Sequence, residues 1–276
     1  MGAAIARICS FEFSIIKLIL ALFTTLFLQI LSNFANDYGD AIKGSDQYRQ
    51  TNDRMVQTGK ISKEEMKKGI FIMSISGFFS GLLLIFFSFP LEDTYKILLF
   101  LVIGVLAIVA AIKYTVGRAA YGYHGLGDLF VFLFFGIVGV FGSFFLFTQE
   151  INILAVPGSL YIGSLSCAVL NLNNMRDIEN DIKSNKQTFA VLLGQKKSKI
   201  YHYFLITTAF ISLIFLLINS GSKLYYLSVL PFVICLINIL SVYKNKNPQD
   251  LDGELKKVAL SCFITSLMLY VTGIII

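Results

Sequence analysis

Residues 127–147 read GDLFVFLFFGIVGVFGSFFLF, 21 positions in which Asp128 is the one charged side chain. About 20 apolar residues rising ~1.5 Å each cross the ~30 Å hydrocarbon core of a bilayer, so this stretch alone is long enough to span. Working outward, apolar runs near 12–34, 69–89, 97–112, 153–171, 200–218, 224–242 and 258–276 resemble it, which gives eight candidate spans. The whole chain agrees. Of its 276 residues 56% are hydrophobic and 14% charged, against about 25% charged in a soluble domain. Its mean hydropathy is +0.73. These values exclude a disordered chain, a disulfide-stapled secreted domain and a soluble enzyme, and 26 Phe with 13 Tyr supply a large apolar surface. The expected fold is all-α: a polytopic transmembrane helical bundle in the lipid bilayer.

Long polar loops (35–68, 113–126, 172–199 and 243–257) alternate with short ones (90–96, 148–152 and 219–223), so the long loops are expected on one side. They hold 19 of the 23 Lys and Arg, leaving Arg7, Lys17, Lys96 and Lys223. Basic loops stay cytoplasmic, so the net charge of +6 is a topology signal and needs no nucleic acid. On this count both termini lie outside. Met1 to Ser10 is too short to span and lacks the basic region of a signal peptide. It reads as the last turns of a helix that begins upstream, followed by a short turn near Cys9 and Ser10.

Cys9, Cys167, Cys235 and Cys262 are solitary, without CxxC or ligand-spaced histidine, and read as packing residues. His202, opening the sixth span, reads as structural. The phenylalanines of 127–147 face lipid, core or an apolar groove, and the sequence does not sort them.

Chemistry concentrates at two acidic clusters, NFANDYGDAIKGSD at 33–46 and NLNNMRDIENDIK at 171–183. In each, an amide side chain precedes a carboxylate by four residues (Asn36 and Asp40, Asn173 and Asp177), and Asp181 follows four further on, so helical stretches would place these groups on one face. Like charges at that spacing repel, which a cation between or beside them would relieve. A solvated helix end at the membrane boundary is the plainer reading of either cluster alone. The pattern recurs, however, at an offset of 137 residues, after the first span and again after the fifth, which implies two pseudo-repeated four-helix halves with one acidic site each. Cations stand close by: Lys43, Arg49 and Arg54 in the first loop, Arg176, Lys183 and Lys186 in the second. Mg²⁺ takes oxygen ligands from one or two carboxylates plus substrate phosphate, and Lys and Arg hold the remaining phosphate oxygens. A diphosphate carried on Mg²⁺ is implied. No GxxxxGK[ST] loop is present, so a nucleotide is not favoured, and in so apolar a protein the rest of the ligand is expected to be a lipid chain.

Through Asn36-Asp37-x-x-Asp40 and Asp177-x-x-x-Asp181 the chain resembles the UbiA superfamily of intramembrane prenyltransferases, over most of its length. Within it the chain is most similar to the branch that prenylates 1,4-dihydroxy-2-naphthoate in menaquinone synthesis. Three stretches carry that likeness: Asn36 to Asp46, with Gly44 and a later Asp46; Tyr121-Gly-Tyr-His124-Gly-Leu-Gly-Asp128; and Asn185-Lys-Gln-Thr188 running on to Gly194. The resemblance implies one prenyltransferase domain over 1–276. Asn36, Asp40, Asp177 and Asp181 would hold Mg²⁺ and the prenyl diphosphate, with Asp37, Asp46 and Asn173 in support. Lys43, Arg118, Arg176 and Lys186 are candidates for diphosphate contacts, and Tyr121 is a candidate for substrate binding. Metal-assisted loss of diphosphate would give an allylic cation that the electron-rich aromatic acceptor attacks, the ring carboxylate leaving as CO₂. Tyrosine faces are suited to such a cation. Relatives open with a basic segment and a first helix, nine in all, so the resemblance implies either a functional start upstream of Met1 or a natural short form.

His124, in a Gly-rich loop beside Tyr121 and Tyr123, has two readings: a group that contacts the acceptor carboxylate or shuttles a proton, or a loop histidine satisfied by backbone. Alternatives at the level of function are prenylation of another acceptor such as 4-hydroxybenzoate, a secondary transporter, and a silent scaffold. Carriers place carboxylates near the midplane, whereas these stand at helix ends. The expected location is a bacterial inner membrane with the active site facing the cytoplasm.

Overall fold

The computed structural model describes residues 1–45 and 54–276. In chain order the helices are α1 (Gly2–Ile8), α2 (Ile15–Lys43), α3 (Lys63–Ser88), α4 (Thr94–Lys113), α5 (Gly127–Thr148), α6 (Ala155–Arg176), α7 (Ile178–Lys183), α8 (Phe189–Ile218), α9 (Lys223–Lys244) and α10 (Asp252–Ile275). Eight of them, α2 to α6 and α8 to α10, are long and apolar enough to cross a membrane, as the sequence predicts. α1 and the turn at Cys9 and Ser10 also stand where expected. All four cysteines are free.

Helix ends depart from the apolar runs because hydrogen bonding, not hydropathy, sets them. α2 continues beyond its apolar stretch, through the first acidic cluster to Lys43, and Gly44 at φ 72° turns the chain out of it. α3 starts several residues ahead of its apolar run on a capping box: Ser62 Oγ accepts from the Glu65 amide at 3.2 Å, and Glu65 Oε2 accepts from the Ser62 amide at 2.8 Å. α8 is broken at Gly194, whose φ of 72° no other side chain adopts readily. The middle of α5, Phe132–Gly142, is wound as a π-helix, and the first turns of α9, Lys223–Phe232, as a 3₁₀-helix.

The helices form two compact units. One contains Ile15–Gly127 with Ile178–Thr188, so α2, α3, α4 and α7. α2 and α3 meet along their length, with Thr24 Oγ1 and Ser80 Oγ 2.9 Å apart, and their outer faces present Leu22, Leu26, Phe79 and Phe86. Such exposed apolar faces suit lipid as the solvent.

The other unit contains Met1–Ser14, Asp128–Asp177 and Phe189–Ile276. α6 is the most enclosed of the eight spans, with Tyr161, Leu165, Leu172 and Met175 wholly buried. It is packed through small residues: a Cβ on Gly136 of α5 would lie 2.8 Å from the Ser159 carbonyl and 2.9 Å from Cα of Gly163, both backbone atoms that cannot yield. Close approach through glycine is how helices gain contact where lipid offers no hydrophobic drive. The division differs from the halves expected from sequence, since α5, the fourth span, joins the later helices, and the tail of the second acidic cluster joins the earlier ones. Of the α5 phenylalanines, Phe144 and Phe147 are buried and Phe135 is exposed.

Candidate active site

The unit of α2 to α4 and α7 gathers residues from both acidic clusters. Because α2 is still helical there, Asn36 and Asp40 share a face one turn apart. Asp40 is 1% exposed, and three groups meet its carboxylate. The Tyr123 hydroxyl donates to Oδ1 at 2.6 Å, Lys186 Nζ lies 3.3 Å from Oδ2, and an Arg54 guanidinium nitrogen lies 3.4 Å from Oδ2. A third cation, Lys43 Nζ, sits 3.7 Å from the centre of the Tyr123 ring, with Lys186 Nζ at 5.1 Å from it.

Local chain geometry puts Tyr123 in place. After α4 the chain folds back into a 3₁₀ turn, Tyr121–Tyr123, where the Gly122 amide donates to the Tyr114 carbonyl at 2.9 Å. A Cβ at Gly122 would stand 2.7 Å from that oxygen, so the approach requires glycine. Tyr121, a candidate for substrate binding, donates its hydroxyl to the Ala110 carbonyl at 2.8 Å and pins the turn to α4. Burial pushes its phenol well above the usual range, so it stays a neutral donor. Thr115 Oγ1 donates to the Ala35 carbonyl at 2.7 Å and ties the end of α4 to α2.

The second cluster does not form one continuous helical face. α6 ends at Arg176, Asp177 has φ −97° and ψ 6°, and α7 starts afresh at Ile178. The break removes the like-charge spacing that an unbroken helix would impose on Asp177 and Asp181. Asp181, on α7, is 3% exposed and accepts from Thr188 Oγ1 at 3.3 Å. The Lys186 amide donates to the Asp181 carbonyl at 2.8 Å, folding the chain after α7 back so that the Lys186 ammonium reaches Asp40. Two further bonds join these segments: Asn180 Nδ2 to the Ser45 carbonyl at 2.7 Å, and the Gln187 amide to the Tyr123 carbonyl at 3.2 Å.

Other expected site residues lie elsewhere. Asp37 faces the turn at Met55 and Val56, Oδ2 accepting from the Met55 amide at 2.9 Å and Oδ1 from the Val56 amide at 3.4 Å, which makes it an anchor for that turn. Arg118 and His124 are exposed, and His124 pairs through its backbone with Gln187. Asp46 lies outside the described residues.

In the other unit Arg176, 5% exposed, is a hub. Its Nε and one terminal nitrogen donate to both oxygens of Asp177 at 2.9 and 2.8 Å. The same terminal nitrogen reaches Asn173 Oδ1 at 2.6 Å, and its other one reaches Asp252 Oδ1 at 2.5 Å. This fork is occupied by protein oxygens, so Arg176 holds Asp177 and Asn173 in place. His202 is buried with Nε2 2.7 Å from Asn238 Oδ1, and Asn238 donates to Glu254 at 2.8 Å, a network between helices that suits the structural role expected for it.

Sequence reasoning passed over Tyr123, Asn180, Thr188 and Asp252. Tyr123 stood inside a quoted motif, and its neighbour Gly122 was the available signal, since glycine marks a close backbone approach. Asp252 carried no signal.

The donor set fits a hard divalent cation, which takes oxygen ligands. Besides two buried carboxylates, Asp40 and Asp181, the unit holds two buried amide oxygens, Asn36 Oδ1 and Asn180 Oδ1, with no hydrogen-bond partner among the described residues. Buried oxygens without donors are costly unless something positive completes them.

Eight crossing helices define an integral, multi-pass membrane protein. Residues 1–266 match the UbiA prenyltransferase family. The chain belongs to that family and is a prenyltransferase enzyme. It is 40% identical over 258 residues to the 1,4-dihydroxy-2-naphthoate octaprenyltransferase of Haemophilus influenzae, covering 93% of this chain and 83% of that protein. With the enzyme of the same description from Escherichia coli the identity is 37% over the same coverage. Among solved structures, a UbiA homolog from Aeropyrum pernix in its apo form superimposes with a TM-score of 0.76 at 15% identity, covering 98% of this chain and 95% of that one. One from Archaeoglobus fulgidus, bound to GPP and Mg²⁺, gives 0.69 at 13% identity, covering 100% and 94%. These two likenesses establish the fold.

Proposed function

We propose that the chain transfers a polyprenyl group from an allylic prenyl diphosphate to 1,4-dihydroxy-2-naphthoate with decarboxylation, giving demethylmenaquinol, and that residues 1–276 act as one catalytic domain. The observation that carries the reading is the buried Asp40 carboxylate with Lys186 and Arg54 on one oxygen and Lys43 beside it, in a chain 40% identical to an enzyme described by that substrate. Mg²⁺, the proposed cofactor, would be held by Asn36, Asp40 and Asp181 of one unit, and when bound it supplies charge for the departing diphosphate. The chain's own cations do the rest: Lys186, Lys43 and Arg54 bind diphosphate oxygens and favour the state in which the allylic C–O bond has broken and its electron pair has left with diphosphate. The ring carbon bearing the carboxylate then bonds to the prenyl carbon. As CO₂ departs, the electron pair of its bond restores the aromatic ring, so no outside oxidant or proton is required. Arg118 and His124, both exposed, are left for contacts with the ends of the two substrates.

Membranes carrying the chain, incubated with 1,4-dihydroxy-2-naphthoate, a prenyl diphosphate and Mg²⁺, are expected to form prenylated product lacking the carboxylate mass, and EDTA is expected to stop it. Product from 4-hydroxybenzoate and none from the naphthoate would overturn the acceptor.

The basic long loops support a bacterial inner-membrane orientation with the site facing the cytoplasm. A reporter fused after Lys196 is expected to read cytoplasmic and one at Ile276 external. The same side from both would overturn this topology.

A further inference from the structure

We infer that Tyr123 is a positioning residue for the diphosphate centre: its hydroxyl fixes the Asp40 carboxylate, and its ring face holds Lys43 and Lys186 ready for phosphate oxygens. The inference rests on the function proposed above.

Three parts of one residue do three things. The hydroxyl donates to Asp40 Oδ1 at 2.6 Å, within the range of charge-assisted O–H···O⁻ bonds. It also meets Ser45 Oγ, which would satisfy a buried phenol by itself, so the bond to Asp40 is additional to what burial requires. With Oδ1 engaged by the phenol, the carboxylate cannot rotate freely; Lys186 Nζ straddles it at 3.4 Å from Oδ1 and 3.3 Å from Oδ2, and Arg54 meets Oδ2 at 3.4 Å. The ring lies under Lys43 Nζ at 3.7 Å and near Lys186 Nζ at 5.1 Å. A ring face attracts the Lys43 ammonium through its quadrupole without accepting its N–H bonds in line, whereas Lys186, farther from the ring, also donates to the Asp40 carboxylate. Two lysines kept close to one neutral ring repel each other, a situation that an incoming anion of high charge density relieves. Finally, the Tyr123 carbonyl accepts from the Gln187 amide at 3.2 Å, which fixes the residue next to Lys186. Tyr123 thereby sets the first cluster, through Asp40, and the tail of the second, through Lys186, by one side chain and one peptide.

The test separates the hydroxyl from the ring, using the full chain purified in detergent. Tyr123→Phe keeps the ring and removes the bond to Asp40. It is expected to weaken Mn²⁺ binding, read by electron paramagnetic resonance in the presence of geranyl diphosphate, roughly tenfold. The Mg²⁺ concentration for half-maximal turnover rises by the same factor, while KM for the prenyl diphosphate stays within about twofold and the metal-free unfolding midpoint is unchanged. Tyr123→Leu, or Tyr123→Met where the leucine variant does not fold, also removes the ring and is expected to raise that KM roughly tenfold further. Wild-type values for Mn²⁺ affinity and Mg²⁺ requirement in Tyr123→Phe would overturn the inference, as would identical behaviour of the two classes of variant. Failure of the functional reading is distinct from both, because it would appear in the wild type as absence of prenylated naphthoate.

Discussion

Asp40→Asn is expected to lower prenyl transfer by roughly 10³-fold or more at saturating Mg²⁺, with the protein still folded. The substitution conserves volume and leaves an oxygen for the Tyr123 hydroxyl, so packing around a side chain that is 1% exposed survives. What it removes is the charge. Lys186 and Arg54, 3.3 and 3.4 Å from Oδ2, lose their counter-charge, and a divalent cation loses an anionic ligand. Asp181→Asn, made in the second cluster, is expected to behave alike, since Asp181 is equally buried and its Thr188 bond also tolerates an amide oxygen. The measurement is product formed per folded protein, with folding read by thermal unfolding in detergent. Near-normal turnover in both variants would remove the carboxylates from the chemistry and the proposed mechanism with them.

The spans were legible because a bilayer imposes a length: a run such as 127–147 has little else to be in a chain of this composition. Their ends were not, because they depend on hydrogen bonds that hydropathy ignores, as the Ser62 and Glu65 box ahead of α3 and the continuation of α2 to Lys43 illustrate. Asn36 and Asp40 could be paired from their spacing, since α2 is helical there. The same rule applied to Asn173, Asp177 and Asp181 gives one face that does not exist, because the helix stops at Arg176. Contacts between residues distant in sequence were out of reach: Tyr123 and Asp40 are 83 positions apart, and Arg176 and Asp252 are 76 apart. The sequence shows that Arg176 is a cation beside acids, and only the fold shows that protein oxygens already fill its fork.

That fork makes the second large effect one of stability. Arg176→Met is expected to destabilise the protein by about 3 kcal/mol, at the low end for breaking a buried ion pair, because Asp252 is half exposed and water screens that arm. The larger share comes from Asp177, 12% exposed, which would be left with neither of its two guanidinium bonds. Arg176→Lys does not restore them, since an ammonium cannot present the planar fork that reaches Asp177, Asn173 and Asp252 together, and it is expected to recover less than half of the loss. The pairing is also expected to be non-additive: Asp252→Asn alone costs little, and added to Arg176→Met it costs nothing further, because the partner it served is already gone. Unfolding in detergent across this four-protein cycle measures the coupling directly. Arg176→Met unfolding at the wild-type midpoint, or the two substitutions adding in full, would mean that the arginine is not what fastens the end of α6 to the start of α10.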